Sequence, residues 1–177
     1  VVHAPAGPVT YVAVQALPKG DRAQLAVELL TELGVDEILP WQAERSVVRW
    51  TPDRVERGLT KWRATAREAA KQSRRFRVPT VSAPLTTAEL ALRIAQTDLT
   101  VVLHEAATEP LAGLEIPATG EIMFIVGPEG GLTDQEVETF RAAGGKVVLI
   151  ADTVLRTSTA GVVALAQLQA LGARAAD

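Results

Sequence analysis

EIMFIVGPEGG, at residues 121–131, is the stretch of sequence that decides the fold, because a strand ends inside it and a helix begins shortly after it. The apolar run at 121–126 predicts a buried strand. The capping-box pattern TDQE at Thr133–Glu136 marks the start of a helix. Three glycines and a proline in between allow sharp turns and a close approach to a ligand. Taken alone, this glycine loop (residues 127–131) is either a tight turn or a ligand-binding loop.

A second loop of the same kind follows at once. A strand is predicted at Lys146–Ile150, then the loop ADTVLRTSTA at 151–160, then a helix from Ser158 to about Leu171. Ligands of open α/β sheets bind at the carboxyl ends of the strands. Two adjacent loops, one rich in Gly and one carrying Arg and hydroxyl groups, therefore predict a site for a nucleotide-like molecule. The last helix is apolar nearly all round, which predicts packing against a second subunit as well as its own sheet.

The rest of the chain alternates strand and helix patterns. Strands are predicted at 11–17, 35–39, 80–82 and 99–103, with a possible short strand at 46–50. Three helices are predicted between these strands. The first has Leu25, Leu29, Leu30 and Leu33 on one face and Gly34 at its end. The second is capped by Asp53 and has Val55, Leu59, Trp62 and Ala66 in a buried stripe, and the third runs from the capping box at Thr86 to about Gln96. This alternation predicts an α/β fold with a mainly parallel sheet and helices on both faces.

Composition limits the class of protein. The 177 residues suffice for one well-filled domain. The sequence has no Cys and no apolar run long enough to cross a membrane, so we expect a cytoplasmic protein without disulfides. His3 and His104 are far apart and form no metal-binding pattern, so no metal is expected. Because the sequence starts at Val1 without Met, we expect it to be a fragment of a longer protein.

Positive charge is concentrated in one segment. Eleven of the 18 Lys and Arg residues lie between Arg45 and Arg77, opposed there only by Asp53, Glu56 and Glu68, which gives this basic segment a net charge of +8. The whole chain has a net charge of −3. A basic segment on an acidic body is typical of a surface that binds a phosphate backbone. A solvated helix face is an equally good interpretation of the charge alone.

The common phosphate-binding and hydrolase motifs are absent. The glycine loop fits neither G-x-x-x-x-G-K-[ST] nor G-x-G-x-x-G, and the sequence has no G-x-S-x-G. The combination of GPEGG at 127–131, LRTSTA at 155–160 and the apolar last helix is more specific. It resembles the SPOUT class of RNA methyltransferases, and within it the bacterial family that methylates N3 of a uridine in 16S ribosomal RNA. Further pieces occur in that family's order, namely LPKG at 17–20, ELGV at 32–35, ERS at 44–46 and EAAKQSRR at 68–75 before Val78-Pro79.

This resemblance implies a fold, a cofactor and partners. It implies a single S-adenosylmethionine (SAM)-binding domain over 1–177, with a C-terminal trefoil knot and a homodimer. Residues 1–10 would be a linker from an N-terminal RNA-binding barrel. The partners would be 16S ribosomal RNA and the small ribosomal subunit. The implied SAM-binding residues are Leu103, His104, Glu105, Gly127, Pro128, Glu129, Gly130, Gly131, Ile150, Ala151, Val154, Leu155, Arg156, Thr157, Ser158 and Ala160.

Roles in catalysis and RNA binding follow from the same resemblance. Arg156 would stabilise negative charge on the target uracil, or bind its phosphate. Glu129 or Glu105 would accept the proton from N3, although Glu129 could equally fix its own loop. The implied RNA contacts are Arg45, Arg49, Arg63, Arg67, Arg74, Arg75 and Arg77.

The sequence departs from the family pattern at a few positions. Ala151 replaces a common Gly, Thr153 a common Arg, Ser158 a common Glu, and Arg74 a frequent Gly. Two alternatives therefore stay open: a non-catalytic knotted RNA-binding module, and a SPOUT methyltransferase that acts on another RNA site.

Overall fold

Six parallel strands form one sheet in the computed structural model, which describes residues 7–175 and the side chains of residues 7–173. The strands are β1 (Val9–Ala16), β2 (Glu37–Trp41), β3 (Thr80–Val81), β4 (Leu99–Leu103), β5 (Gly120–Val126) and β6 (Lys146–Val148). Their order across the sheet is β3-β2-β1-β5-β4-β6. All pairings are parallel, and the longest is between β1 and β5, with Val9 opposite Gly120 and Gln15 opposite Val126.

Five helices cover the two faces of this sheet. They are α1 (Arg22–Leu33), α2 (Pro52–Gln72), α3 (Thr87–Ile94), α4 (Asp134–Ala142) and α5 (Thr157–Ala175), with a short 3-10 turn at Leu111–Gly113. Side chains of α1, α2 and α5 form one buried core with the sheet, and those of α3 and α4 form the other. The central strands β1 and β5 are therefore buried on both faces, which explains their nearly continuous apolar sequences. The predicted α/β architecture is confirmed.

Several predicted boundaries were wrong for identifiable reasons. The second strand begins at Glu37, two residues late, because Gly34 has a left-handed φ of 90° and the Val35 N–H still closes α1 by donating to the Leu30 carbonyl. The last strand ends at Val148 because Leu149 exchanges backbone hydrogen bonds with residues 109 and 111 instead. No strand forms at 46–50. The last helix begins at Thr157, one residue early.

The first strand and helix also correct the sequence analysis. Strand β1 starts at Val9, so residues 9 and 10 belong to the sheet and not to a linker, while residues 1–6 lie outside the described part of the chain. Leu25 was predicted on the buried face of α1, but 44% of it is exposed. The buried face instead consists of Ala26, Val27, Leu30 and Thr31.

Helix α2 crosses the full height of the sheet. Its N-cap is Thr51 and not Asp53, whose pKa is lowered mainly by a hydrogen bond from the Thr51 side chain. The predicted stripe is confirmed, and Trp62 is 3% exposed in the core, edge-on to Trp50 at 5.4 Å between ring centroids. Since β2 and β3 are parallel, α2 must begin at the carboxyl edge of the sheet and end at the amino edge. Its 21 residues span about 30 Å.

The two predicted capping boxes are both formed, and they allow a matched comparison. Glu89 bonds only its own N-cap, Thr86, and the Thr86 hydrogen bonds hold the pKa of this exposed carboxyl below its usual range. Glu136 bonds its N-cap, Thr133, and also accepts the Glu44 N–H at 2.8 Å while only 3% exposed.

Replacing each capping glutamate tests the additional hydrogen bond from the Glu44 N–H to Glu136. Glu136→Ala is expected to lower the free energy of unfolding by about 2–4 kcal/mol, because it removes the cap and leaves the Glu44 N–H without its acceptor. The control Glu89→Ala removes a cap alone and should cost clearly less. Urea denaturation measures both, and equal costs would show that the Glu136–Glu44 bond contributes nothing.

Candidate ligand site at the carboxyl edge of the sheet

A cavity of about 530 Å³ opens at the carboxyl edge of β4, β5 and β6. The three predicted loops, at 103–105, 127–131 and 150–157, form its walls together with Ala160. Every residue predicted to bind the cofactor lines this cavity except Ser158. Ser158 lies in the first turn of helix α5 and is only 4% exposed. The sequence analysis missed the other lining residues, which are Arg22, Val126, Leu132, Leu149, Asp152 and Thr153.

The fold itself favours glycine at positions 130 and 131 of the GPEGG loop, independently of any ligand. Gly131 has φ 74° and donates its N–H to the Pro128 carbonyl at 2.9 Å, which closes a tight turn. A Cβ at Gly130 would lie 3.0 Å from the Arg45 Cβ and 3.2 Å from the Arg45 carbonyl oxygen. The loop is therefore both of the things its sequence allowed, a tight turn and a wall of a cavity.

Hydrogen bonds of two charged side chains, Arg45 and Glu129, tie this loop to neighbouring segments. The Arg45 guanidinium donates to the carbonyl oxygens of Gly130 and Leu132 at 3.2 and 3.3 Å. The Glu129 carboxylate accepts the backbone N–H of Lys19 at 3.0 Å, which ties the glycine loop to the turn after β1. Of the two roles predicted for Glu129, this contact favours the fixing of its loop over the acceptance of a proton.

A buried hydrogen-bonded chain joins two walls of the cavity. The Thr157 hydroxyl donates to the Gly127 carbonyl at 2.9 Å and accepts from the Gln15 side-chain amide at 3.0 Å. Gln15 is fully buried among apolar residues of β1, and its amide also donates to the Ala16 carbonyl. Its side-chain oxygen has no protein partner among the described residues. A buried polar group in an apolar strand costs stability unless it is hydrogen-bonded, and the bonds of Gln15 hold the start of α5 against the end of β1.

The charged groups at the cavity differ in how firmly they are held. The Arg156 carbonyl caps α5 by accepting the N–H groups of Thr159 and Ala160, while its side chain is exposed. Neither Arg156 nor Arg22 forms an ion pair within the described residues. The Glu105 carboxylate lies beside Gly131, and no hydrogen bond engages it within the same residues. The cavity therefore presents two cations, Arg22 and Arg156, and two carboxylates, Glu105 and Asp152, that no ion pair or hydrogen bond engages within the described residues.

His104 has a structural role. Its imidazole Nδ1 accepts the Ala106 backbone N–H at 3.1 Å, and the His104 backbone N–H donates to the Val148 carbonyl at 3.1 Å. Within residues 7–175, no three acidic or histidine side chains gather as a metal site. No helix in that part of the chain is long and apolar enough to cross a bilayer.

The seven arginines predicted to bind RNA do not form one cluster. Arg45 and Arg49 lie in the loop before α2, at the carboxyl edge near the cavity, where Arg49 donates to the Glu44 carbonyl. Arg63 and Arg67 lie along α2, and Arg63 donates to the Val81 carbonyl. The remaining three, Arg74, Arg75 and Arg77, follow the end of α2 at the amino edge, about 30 Å from the start of that helix.

The fold and this cavity match a known family. The family model for the RNA methyltransferase domain matches residues 5–169, and the chain belongs to that family. It is 46% identical over 165 residues to ribosomal RNA small subunit methyltransferase E of Mycobacterium tuberculosis, covering 91% of this chain and 63% of that protein. The Bacillus subtilis protein of the same name is 32% identical, with coverages of 91% and 66%. This chain thus spans less than two thirds of the length of these relatives.

A solved structure agrees with the sequence relatives. The ribosomal RNA small subunit methyltransferase E of Neisseria gonorrhoeae, bound to S-adenosyl methionine, superposes with a TM-score of 0.83 at 30% identity, covering 93% of this chain and 67% of that one. The predicted resemblance is therefore confirmed at the level of the family.

Substituting Thr157 tests the buried chain of hydrogen bonds. Thr157→Val keeps the shape of the side chain but removes its bonds to Gly127 and Gln15, so the free energy of unfolding should fall by about 1–3 kcal/mol. Thr100→Val is the matched control, since the Thr100 hydroxyl is buried without a partner in the described residues and its loss should be neutral or stabilising. Thr157→Ser should restore most of the stability. Chemical denaturation of the four proteins decides, and equal effects of the two valine variants would contradict the assignment.

Proposed function

We propose that this chain is the catalytic domain of an enzyme that transfers a methyl group from SAM to N3 of a uridine in 16S ribosomal RNA. The observation that carries this proposal is the cavity itself, since three loops at the carboxyl edge enclose it in a member of the RNA methyltransferase family. Relatives that carry the name ribosomal RNA small subunit methyltransferase E point to the small-subunit RNA as the substrate.

The residues of the cavity fit SAM. A volume of about 530 Å³ is in the range of cofactor sites. The carbonyls of Gly127, Pro128 and Gly130 are engaged within the protein, which leaves the remaining backbone groups of the glycine loop to recognise an adenine edge or a ribose. Apolar side chains at Leu103, Ile150 and Leu155 can cover the flat faces of a base. The bound cofactor would supply a methyl group already activated by a sulfonium, so this chemistry requires no metal.

Two residues of the cavity have roles in the chemistry. Uridine N3 carries a proton that must leave before or during transfer, and the resulting negative charge is shared with the flanking carbonyl oxygens. The exposed Arg156 side chain, at the start of α5, would stabilise that charge or the adjacent phosphate. Glu105 is our candidate proton acceptor, because Glu129 is engaged with Lys19. Positioning of the two substrates would provide most of the remaining acceleration.

The RNA footprint near the cavity consists of Arg45, Arg49, Arg63 and Arg67. Arg45 contacts the glycine loop directly, Arg49 lies in the same segment before α2, and Arg63 and Arg67 continue along α2 away from the cavity edge. RNA bound along α2 could therefore place a nucleotide in the cavity. Such binding should weaken as salt concentration rises.

We also propose a homodimer and a knotted C-terminus. Helix α5 buries Ala164, Leu165 and Leu168 but leaves the small side chains Ala166 and Ala170 exposed, a surface that suits close packing of a second copy. The knot is supported by the backbone pairing of Leu149 with residues 109 and 111, after which α5 packs against both α1 and the 3-10 turn at Leu111–Gly113. An enzyme that modifies ribosomal RNA would act in the cytoplasm.

Calorimetric titration with SAM separates an enzyme from a non-catalytic knotted module. The enzyme requires SAM binding, and its absence in a folded protein would refute the proposed function. Mapping the methylated nucleoside in RNA from a deletion strain would distinguish 16S uridine N3 from another RNA site.

Arg156 substitution tests its assigned role. Arg156→Ala should lower the methylation rate on small ribosomal subunits about 100-fold or more, as expected for the loss of a charge-stabilising group, while SAM affinity changes much less. Arg156→Lys should recover only part of the rate, because it keeps the charge but not the planar geometry. A full rate with folded Arg156→Ala would show that Arg156 has no such role. The measurement is single-turnover kinetics on a protein of the full length of the relatives that contains this domain.

A further inference from the structure

The segment RRFRV at Arg74–Val78 forms an exposed surface that the proposed catalytic site does not use. Phe76 is 80% exposed and Val78 is 50% exposed, and three arginines surround them. This RRFRV surface lies at the amino edge of the sheet, opposite the cavity. The other two phenylalanines of the chain are fully buried, so the exposure of Phe76 calls for an explanation.

The neighbours of Phe76 hold it outward. The Arg75 guanidinium lies against Gly34 so closely that a Cβ there would overlap it. Arg77 pairs with Asp36 at 3.6 Å. Because the residues on both sides are anchored to the start of β2 and the end of α1, Phe76 projects from a fixed backbone and not from a loose loop.

Arg74 occupies a position that its backbone conformation disfavours. The Arg75 N–H donates to the Ala70 carbonyl at 2.8 Å, and the Arg74 N–H to the Lys71 carbonyl at 3.2 Å, which together form a Schellman motif at the end of α2. In this motif the C′ residue adopts a left-handed conformation, for which glycine is preferred, and Arg74 has φ 54°. The sequence thus keeps a cation where glycine would be more stable.

We propose that the RRFRV surface binds unpaired RNA, with Phe76 stacking on a base and the arginines contacting the flanking phosphates. An aromatic ring beside guanidinium groups is the arrangement that recognises single-stranded RNA by stacking and charge. Charge favours RNA over a protein partner, because Asp36 is the only carboxylate among the described side chains that pairs with this surface. The apolar area is also only two side chains wide, which accommodates one base but not the core of a protein interface.

The consequence is a second RNA contact at the opposite edge of the sheet from the cavity, separated from the start of α2 by that helix's length of about 30 Å. This inference rests on the proposed function in one respect, namely that the substrate is RNA. It goes beyond it in assigning Phe76 and in separating Arg74, Arg75 and Arg77 from the arginines beside the cavity.

Phe76→Ala is the first test, on the 177-residue chain with a fluorescently labelled oligouridylate of about ten nucleotides. Loss of the stacking ring should weaken binding by about fivefold or more, with little effect on a duplex RNA of equal length. Leu92→Ala is the matched control, since Leu92 is 69% exposed on α3, which covers the other face of the sheet. Equal affinities of the parent and both variants would overturn the proposal.

Arg74→Gly is the second test, and its two expected effects have opposite signs. The variant should unfold about 2–4 °C higher, because glycine relieves the left-handed strain, yet bind the oligouridylate less tightly. Its slope of log affinity against log salt concentration should be smaller by about 0.7. Arg141→Ala on α4 should change neither quantity. A more stable Arg74→Gly protein with unchanged RNA binding would overturn the proposal.

Two further results separate the possible failures. If Phe76→Ala leaves RNA binding intact but shifts the oligomeric state in sedimentation, a second copy covers this surface and the RNA assignment is wrong. If the parent binds SAM but its RNA binding is insensitive to all of these substitutions, this inference fails while the proposed function stands. If the parent does not bind SAM, the proposed function fails whatever the RNA results are.

Discussion

The Thr157 hydroxyl joins the parts of this protein that must meet for a ligand cavity to exist. It links the end of β5, through the Gly127 carbonyl, to the end of β1, through Gln15, while starting α5 itself. All three groups are at the carboxyl edge, where parallel strands leave their last backbone groups without ladder partners. The hydroxyl satisfies the Gly127 carbonyl and accepts from the Gln15 side-chain amide, which fixes the glycine loop and the start of α5 relative to the end of β1. The rest of the cavity depends on that arrangement.

The parts of the fold that sequence predicted are those governed by local chemistry. Capping boxes at Thr86 and Thr133 located two helix starts, and apolar runs located the central strands. The failures came from contacts between distant residues. Nothing local reveals that Leu149 pairs with residues 109–111 and ends β6 early, or that Leu25 stays exposed on α1. The exposed face of a helix depends on which elements cover it, and the sequence pattern of α1 offered apolar residues on both sides.

The candidate site shows the same division. Its three loops could be predicted because each follows a recognisable strand, and fifteen of the sixteen residues implied by the resemblance line the cavity. Ser158 is the exception, because it lies in the first turn of α5 with its side chain buried away from the cavity. Arg22 was missed because it is the first residue of α1, and only the sheet topology brings the start of that helix to the cavity. The basic segment looked like one patch in sequence, yet α2 carries its two ends to opposite edges of the sheet.

The bond between Gln15 and Thr157 connects residues 142 positions apart. Contacts of such large sequence separation are entropically expensive to close and form late, after local elements have gathered. The cavity can therefore exist only in a chain that is almost completely folded, and a partly folded or incompletely synthesised chain would offer its ligand nothing to hold. A ligand bound there would favour the whole native state over every partly folded one, because it has no local fragment to stabilise.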